Sequence, residues 1–197
     1  MPVIECDPAL ARDRLEAAGV DVAAGNTVHE RWRASHGDAV AVAYDDKVVV
    51  QGQEPWPLLG LLQSHGGRVH LYFDGASRGN PGRAAVGWVL VADGGIVAEQ
   101  GNRIGRATNN EAEYEALIQG LEAARELGFD EIEVRGDAEL IVRQVTGAYE
   151  VRAPNLRERR VRARELLESF DTWTISHVPR AVNDRADELA NAALDDH

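Results

Sequence analysis

Asp74, Glu113, Asp137 and Asp187 are the residues of this chain whose types and settings suit chemistry. Asp74 follows the alternating run His70-Leu71-Tyr72-Phe73 and precedes Gly75-Ala76-Ser77-Arg78-Gly79-Asn80-Pro81-Gly82, so it is expected at the tip of a strand before a glycine-rich turn. Glu113 falls in the first turn of a helix, Asp137 just past another strand, and Asp187 on a C-terminal helix. Singly, each has an ordinary role. Asp-Gly forms turns, Glu113 complements a helix dipole, Asp137 caps the helix after it, and Asp187 is a solvated charge. Gathered at one point, the four would repel one another and take up protons unless divalent cations neutralised them. Mg²⁺ prefers such oxygen ligands.

The elements that must position them follow from periodicity. Val69, Leu71 and Phe73 share one face of a strand that ends at Asp74, with His70 and Tyr72 on the other. Ala84–Ala92 and Ile96–Ile104 read as the next two strands, joined by the turn Asp93-Gly94-Gly95. Thr108-Asn109-Asn110 supplies cap-type residues for a helix from Glu111 to Leu127, whose apolar stripe is Leu117, Leu121, Ala124 and Leu127, with Gly128 as its stop. Asp130–Arg135 is a fourth strand, followed by Gly136-Asp137 and a helix through Leu140, Ile141, Val142 and Val145. A helix Pro154–Ser169, a strand Thr172–His177 and a last helix from Asn183 or Asp184 complete the chain.

Residues 1–66 read as a separate small α+β domain, and 67–197 as the domain that carries the acidic set. Asp7–Gly19 forms a helix with Leu10, Arg14, Leu15 and Ala18 at helical spacing. Val28–Ala34, Ala39–Tyr44 and Lys47–Gln51 form three antiparallel strands, with Asp45-Asp46 as a tight turn. A second helix runs from Pro55 to Gln63, and Ser64-His65-Gly66-Gly67-Arg68 reads as a linker. Trp32 and Trp56 are expected in this domain's core, although Arg31, Trp32, Arg33 and Lys47 are also its best-placed residues for contact with a duplex.

The net charge of −12 argues against a polyanionic partner by the usual rule that basic surfaces attract phosphates. Lys47 is nevertheless the only lysine, and an acidic excess with almost no lysine resembles proteins of salt-rich cytoplasm. In molar salt the screening length shrinks to roughly 3 Å, so short contacts with a polyanion carry little long-range penalty. No apolar run reaches the length of a membrane span, and Met1-Pro2-Val3-Ile4-Glu5-Cys6-Asp7 lacks the basic start and apolar core of a signal peptide. The expected location is therefore the cytoplasm. Cys6, the single cysteine, rules out an intrachain disulfide or a multi-cysteine metal site.

The words around the four carboxylates are Phe73-Asp74-Gly75-Ala76-Ser77, Thr108-Asn109-Asn110-Glu111-Ala112-Glu113-Tyr114, Val134-Arg135-Gly136-Asp137-Ala138 and Arg185-Ala186-Asp187-Glu188-Leu189-Ala190. Their order and spacing resemble the type 1 ribonuclease H family over residues 68–194. The stretch Val40 to Gly52 weakly resembles the TATA-binding-protein-like domain that precedes the catalytic domain of type 3 ribonucleases H.

The resemblance implies an α/β fold, a five-stranded mixed sheet flanked by helices. It implies two Mg²⁺ or Mn²⁺ ions per site, with Asp74 bridging both, Glu113 and Asp137 on the nucleophile side, and Asp187 on the leaving-group side. Such a site is expected to hydrolyse the RNA strand of RNA–DNA hybrids, giving 5′-phosphate and 3′-hydroxyl ends. His177 matches the family's mobile histidine, which assists proton transfer or product departure. Glu188 matches a position that supports Asp187. Asn80, Asn109 and Asn110 are the expected contacts to nucleic acid, where the ribose 2′-hydroxyl separates RNA from DNA.

One departure concerns substrate grip. No lysine-rich helix and loop stands between Val151 and Phe170, and Arg157, Arg159, Arg160, Arg162 and Arg164 are interspersed with glutamates, as on a solvated helix face. Grip on the DNA strand is therefore open, and RNA duplexes stand as an alternative substrate. A duplex-binding protein with little catalysis is the reading from another class. It predicts the loss of at least one of the four carboxylates, and none is lost. The chain is expected to be a monomer.

Overall fold

The computed structural model describes residues 2–53, 55–62, 67–92 and 94–195, without the side chains of Glu5 and Trp56. Residues 64–66 of the expected linker, Asp93 of the expected turn and the expected core role of Trp56 thus lie outside the described residues. The chain divides into two compact units, Met1–Gly66 with Glu126–Gly128, and Gly67–Arg125 with Phe129–His197.

The first unit runs β1 (Val3–Glu5), α1 (Pro8–Ala17), β2 (Val22–Ala24), β3 (Trp32–His36), β4 (Ala39–Ala43), β5 (Lys47–Gln51) and α2 (Trp56–Leu62). Its strands form one antiparallel sheet in the order β1-β5-β4-β3-β2. The Asp7 side chain caps α1 by accepting from the Ala9 N–H at 2.8 Å, the role its residue type favours. Two expectations are corrected. The sheet has five strands rather than three, because β1 and β2 are three residues each and too short to show a period. Leu10 and Val28 are exposed, and the strand expected from Val28 starts at Trp32. Trp32 is buried, its indole N–H donating to the Pro8 carbonyl at 2.8 Å. It is a core residue and does not face a duplex.

The second unit runs β6 (Arg68–Gly79), β7 (Gly82–Ala92), β8 (Gly95–Ala107), α3 (Asn109–Glu126), β9 (Glu131–Gly136), α4 (Glu139–Val145), α5 (Pro154–Leu167), β10 (Thr172–His177), a single 3₁₀ turn (Arg180–Val182) and α6 (Asp184–Asp195). Its sheet is mixed, in the order β10-β9-β6-β7-β8, with β6, β9 and β10 parallel and β6, β7 and β8 antiparallel. Val69, Leu71 and Phe73 are fully buried, as are Leu117, Leu121 and Ala124 of α3. Leu140 is exposed at the start of α4, whereas Ile141, Val142 and Val145 of the same helix are buried.

The main correction concerns β6. It does not end at Asp74 but continues through Gly75 to Gly79, pairing residue by residue with β7 down to Gly79↔Gly82. Glycine in a strand costs about 0.5–1 kcal/mol relative to alanine. Each large apolar side chain that this ladder helps to bury returns about 1.5–3 kcal/mol, so the strand outlasts its turn-like composition. Pairing with β9, in contrast, stops at Phe73↔Gly136. Asp74 is thus the first residue of β6 beyond β9, at the point where the parallel half of the sheet ends.

Candidate active site

Two close approaches of backbone bring helices to this point. A Cβ on Gly75 would fall 2.2 Å from the Glu113 nitrogen, so α3 seats directly on β6 there because residue 75 has no side chain. The Gly75 N–H then donates to Glu113 Oε2 at 3.1 Å. On the opposite face, a Cβ on Gly87 would fall 2.2 Å from the Ala186 carbonyl oxygen and 2.6 Å from the Ala190 nitrogen. Gly87 pairs with Asp74 across the ladder, so α6 lies on the sheet at the level of Asp74 and carries Asp187 with it. Asp137 follows the last residue of β9. It does not cap α4: residue 138 holds that position, with no side-chain cap.

The start of α3 is fixed by a reciprocal cap. Thr108 N–H donates to Glu111 Oε2 at 2.9 Å, and Glu111 N–H donates to Thr108 Oγ1 at 3.3 Å. The Thr108 N–H and the Asn155 amide hold the Glu111 carboxyl down at about 2, so it stays ionised through the neutral range. The helix begins at Asn109 rather than Glu111, which moves Glu113 out of the expected first turn into the second and leaves Glu111 as the acid of the first.

The four carboxylates sense one another. Asp74 and Glu113 are each only 7% exposed, a setting that charged groups avoid unless paired. The Asp74 carboxyl is pushed up to about 7, first by burial and then by the charges of Asp137 and Asp187. Glu113 is raised well above its ordinary value by burial, Asp74 and Asp137. Arg180 in the 3₁₀ turn works against both shifts, and its guanidinium donates to Asp187 Oδ1.

Four oxygen-donor groups, two of them buried and mutually repelling, are a donor set that fits hard divalent cations. Among the described residues no three His, Cys, Asp or Glu side chains are drawn together tightly enough to enclose an ion. In this arrangement Asp187 is turned to Arg180.

Asn183, which sequence reasoning missed, is 1% exposed and ties three of the contributing elements together. Its side-chain N–H groups donate to the Phe73 carbonyl and to Asp137 Oδ1, both at 2.8 Å, and its own carbonyl accepts from Asp187 N–H at 3.2 Å. Its side-chain Oδ1 is buried with no hydrogen-bond partner among the described residues. The available signal was an asparagine at the edge of a helix, which reads as a cap; here the side chain points into the site instead.

The remaining expected residues divide. His177 ends β10 and pairs with Gly136, the residue before Asp137. Asn80 Oδ1 accepts from the Asn109 N–H at 3.2 Å, which joins the β6–β7 turn to the start of α3. Asn110 is half-buried in the first turn of α3, and Asn109 before it is exposed. Glu188 is held by Arg185, which also grips Glu99. The α5 arginines are engaged within the fold: Arg157 donates to the Val151 carbonyl, Arg160 to the Gln144 carbonyl, Arg162 to Glu122 and Arg164 to Glu168.

Comparison with known proteins places this geometry. A family profile described as reverse transcriptase-like matches residues 72–193. The whole chain is 63% identical over 198 residues to the ribonuclease HI of Halobacterium salinarum, covering 100% of both chains. It is 45% identical over 130 residues to a bifunctional protein of Mycobacterium tuberculosis, covering 65% of this chain and 36% of that one. Among solved structures, the RNase H1 of H. salinarum superposes with a TM-score of 0.65 at 70% identity, covering 66% of this chain and 100% of that one. LC11-RNase H1, solved in complex with an RNA/DNA hybrid, gives a TM-score of 0.61 at 42% identity, covering 64% and 96%. With the mixed five-stranded sheet and all four acidic positions in place, the chain belongs to the ribonuclease H family.

Proposed function

We propose that this chain hydrolyses the RNA strand of RNA–DNA hybrids, with two Mg²⁺ or Mn²⁺ ions held by Asp74, Glu113, Asp137 and Asp187. The observation that carries the reading is that side chains from β6, α3, the end of β9 and α6 act on one another at the single point where β6 parts from β9. Its support from comparison is the ribonuclease HI name of the full-length relative and the hybrid bound in the LC11 complex. When bound, such ions stabilise charge on the scissile phosphate and activate a water for attack.

The protein's own residues do the rest. Asp74 and Glu113 surrender the protons that burial and repulsion let them keep, so cation uptake is coupled to proton release. Asn183 fixes Asp137 relative to the β6 backbone, so that little reorganisation is left for the reaction itself. His177 stands beside that carboxylate's strand and serves proton transfer at the leaving 3′ oxygen. Asn80 and Asn109, joined by their hydrogen bond, offer the polar edge that meets the ribose 2′-hydroxyl. Products carry 5′-phosphate and 3′-hydroxyl ends. The chain acts as a cytoplasmic monomer, and residues 1–66 hold substrate near the site without entering the chemistry.

Matched hybrid, RNA-duplex and DNA-duplex substrates, assayed in molar KCl with Mg²⁺, Mn²⁺ or chelator, test this reading. The hybrid is cleaved, the RNA duplex more slowly, the DNA duplex not at all, and chelator stops the reaction. Cleavage that survives chelation, or that spares the hybrid, contradicts it. In the same assay a chain starting near Gly67 keeps cleaving with a raised KM and a kcat changed much less; an unchanged KM removes the substrate-holding role of residues 1–66.

A further inference from the structure

Arg180 lies three residues after His177 and seven before Asp187, in the 3₁₀ turn that joins β10 to α6. Its guanidinium pairs with the Asp187 carboxylate. The two partners differ in freedom: the arginine side chain is 71% exposed and the aspartate 24%. The arginine is able to swing out to solvent, while Asp187 is held on a helix seated against β7. The reach of that positive charge extends past its ion pair, because it offsets the burial of both Asp74 and Glu113.

We infer that Arg180 is the site's resident counter-ion and competes with the divalent metal for Asp187. The inference rests on the reading of the four carboxylates as a metal site. A guanidinium and a divalent cation cannot both sit against one carboxylate oxygen without strong repulsion. Metal binding at Asp187 therefore requires the ion pair to open, and the intrinsic affinity of the carboxylates is reduced by the share of molecules in which it is closed. Without this arginine, Asp187 of the metal-free protein would lose the cation that pairs with it. With the arginine, the metal-free state is tolerated, at some cost in metal affinity. The competition is an exposed ion pair's worth, so it is modest and sensitive to salt.

The sign of this effect is unusual, since removal of a residue from the site tightens its binding of metal. Calorimetric titration of Mn²⁺ into the chelator-treated full chain, without nucleic acid, reads it directly. In low salt, Arg180→Gln binds Mn²⁺ about three- to fivefold more tightly than the wild type, Arg180→Lys stays closer to the wild type, and the difference shrinks in molar KCl. In chelator and low salt, Arg180→Gln melts below the wild type, because its carboxylates have lost their counter-ion. Equal or weaker Mn²⁺ binding by Arg180→Gln, with the wild type binding normally, overturns the competition while leaving the metal site intact. A wild type that takes up no Mn²⁺ at these carboxylates overturns the underlying metal reading and the competition with it.

Discussion

Asp74→Asn stops cleavage of the hybrid while the chain keeps its fold and its hold on the duplex. Asparagine keeps the shape of the side chain but removes the charge at the centre of the acidic set, between elements that bring Glu113, Asp137 and Asp187. The expected loss in kcat is about a thousandfold or more, or at least ~4 kcal/mol of transition-state stabilisation. Stability moves the other way. The Asp74 carboxyl is raised from 3.8 to about 7 in the folded chain, so the folded state binds a proton more tightly than the unfolded state across that interval. Ionising Asp74 therefore weakens the fold as pH rises through this window, with the full penalty above about 7. Removal of the acid relieves that penalty. In chelator, the variant melts with the wild type near pH 4 and above it at pH 8. Wild-type turnover with metal present would remove Asp74 from the chemistry, and a lower melting temperature at pH 8 would mean that its charge supports the fold.

Gly87→Ala is the second large effect, and it acts without touching any carboxylate. The added methyl would stand 2.2 Å from the Ala186 carbonyl oxygen and 2.6 Å from the Ala190 nitrogen, both backbone atoms of α6 that no rotamer change moves. The helix must lift from the sheet. Overpacking of this kind costs about 1–3 kcal/mol, or roughly 2–4 °C in melting temperature per kcal/mol for a domain of this size. Activity falls further than stability, because Asp187 rides on the displaced helix and a shift of about 1 Å at a reacting group costs on the order of a hundredfold. Melting curves and kcat, measured well below the variant's transition, separate the two effects. A variant with wild-type values of both would show that α6 does not set the position of Asp187.

What the sequence showed and what it hid divide along physical lines. The period of two at Val69, Leu71 and Phe73, and the helical stripe Leu117, Leu121 and Ala124, read correctly because each faces a core that spans many residues. The five-stranded mixed sheet followed from the four linked words. The run of β6 past Asp74 did not, since Gly75 and Gly79 look like turn formers until a paired strand and the closeness of Glu113 are known. Strands of three residues, such as β1 and β2, exist through their neighbours rather than their own pattern. Within the site, the acidic positions were legible as residue types in a local context. The contacts of Asn183 and Arg180 were not, because each depends on partners that the fold brings near: Phe73 and Asp137 for the first, the Asp187 carboxylate for the second. Trp32 shows the converse, an aromatic whose neighbours Arg31 and Arg33 suggested a binding strand and whose indole is in fact buried.

In the proposed mechanism the four carboxylates hold two divalent ions on either side of a scissile phosphate. Anomalous scattering from Mn²⁺, in crystals of the full chain bound to a hybrid with a non-cleavable linkage, tests it most directly. Two peaks are expected roughly 4 Å apart, both ligated by Asp74, with Glu113 and Asp137 on one and Asp187 on the other, and with Arg180 moved off Asp187. Mn²⁺ bound only elsewhere on the chain, with Asp74 and Asp187 free of metal while the hybrid lies in place, would contradict it.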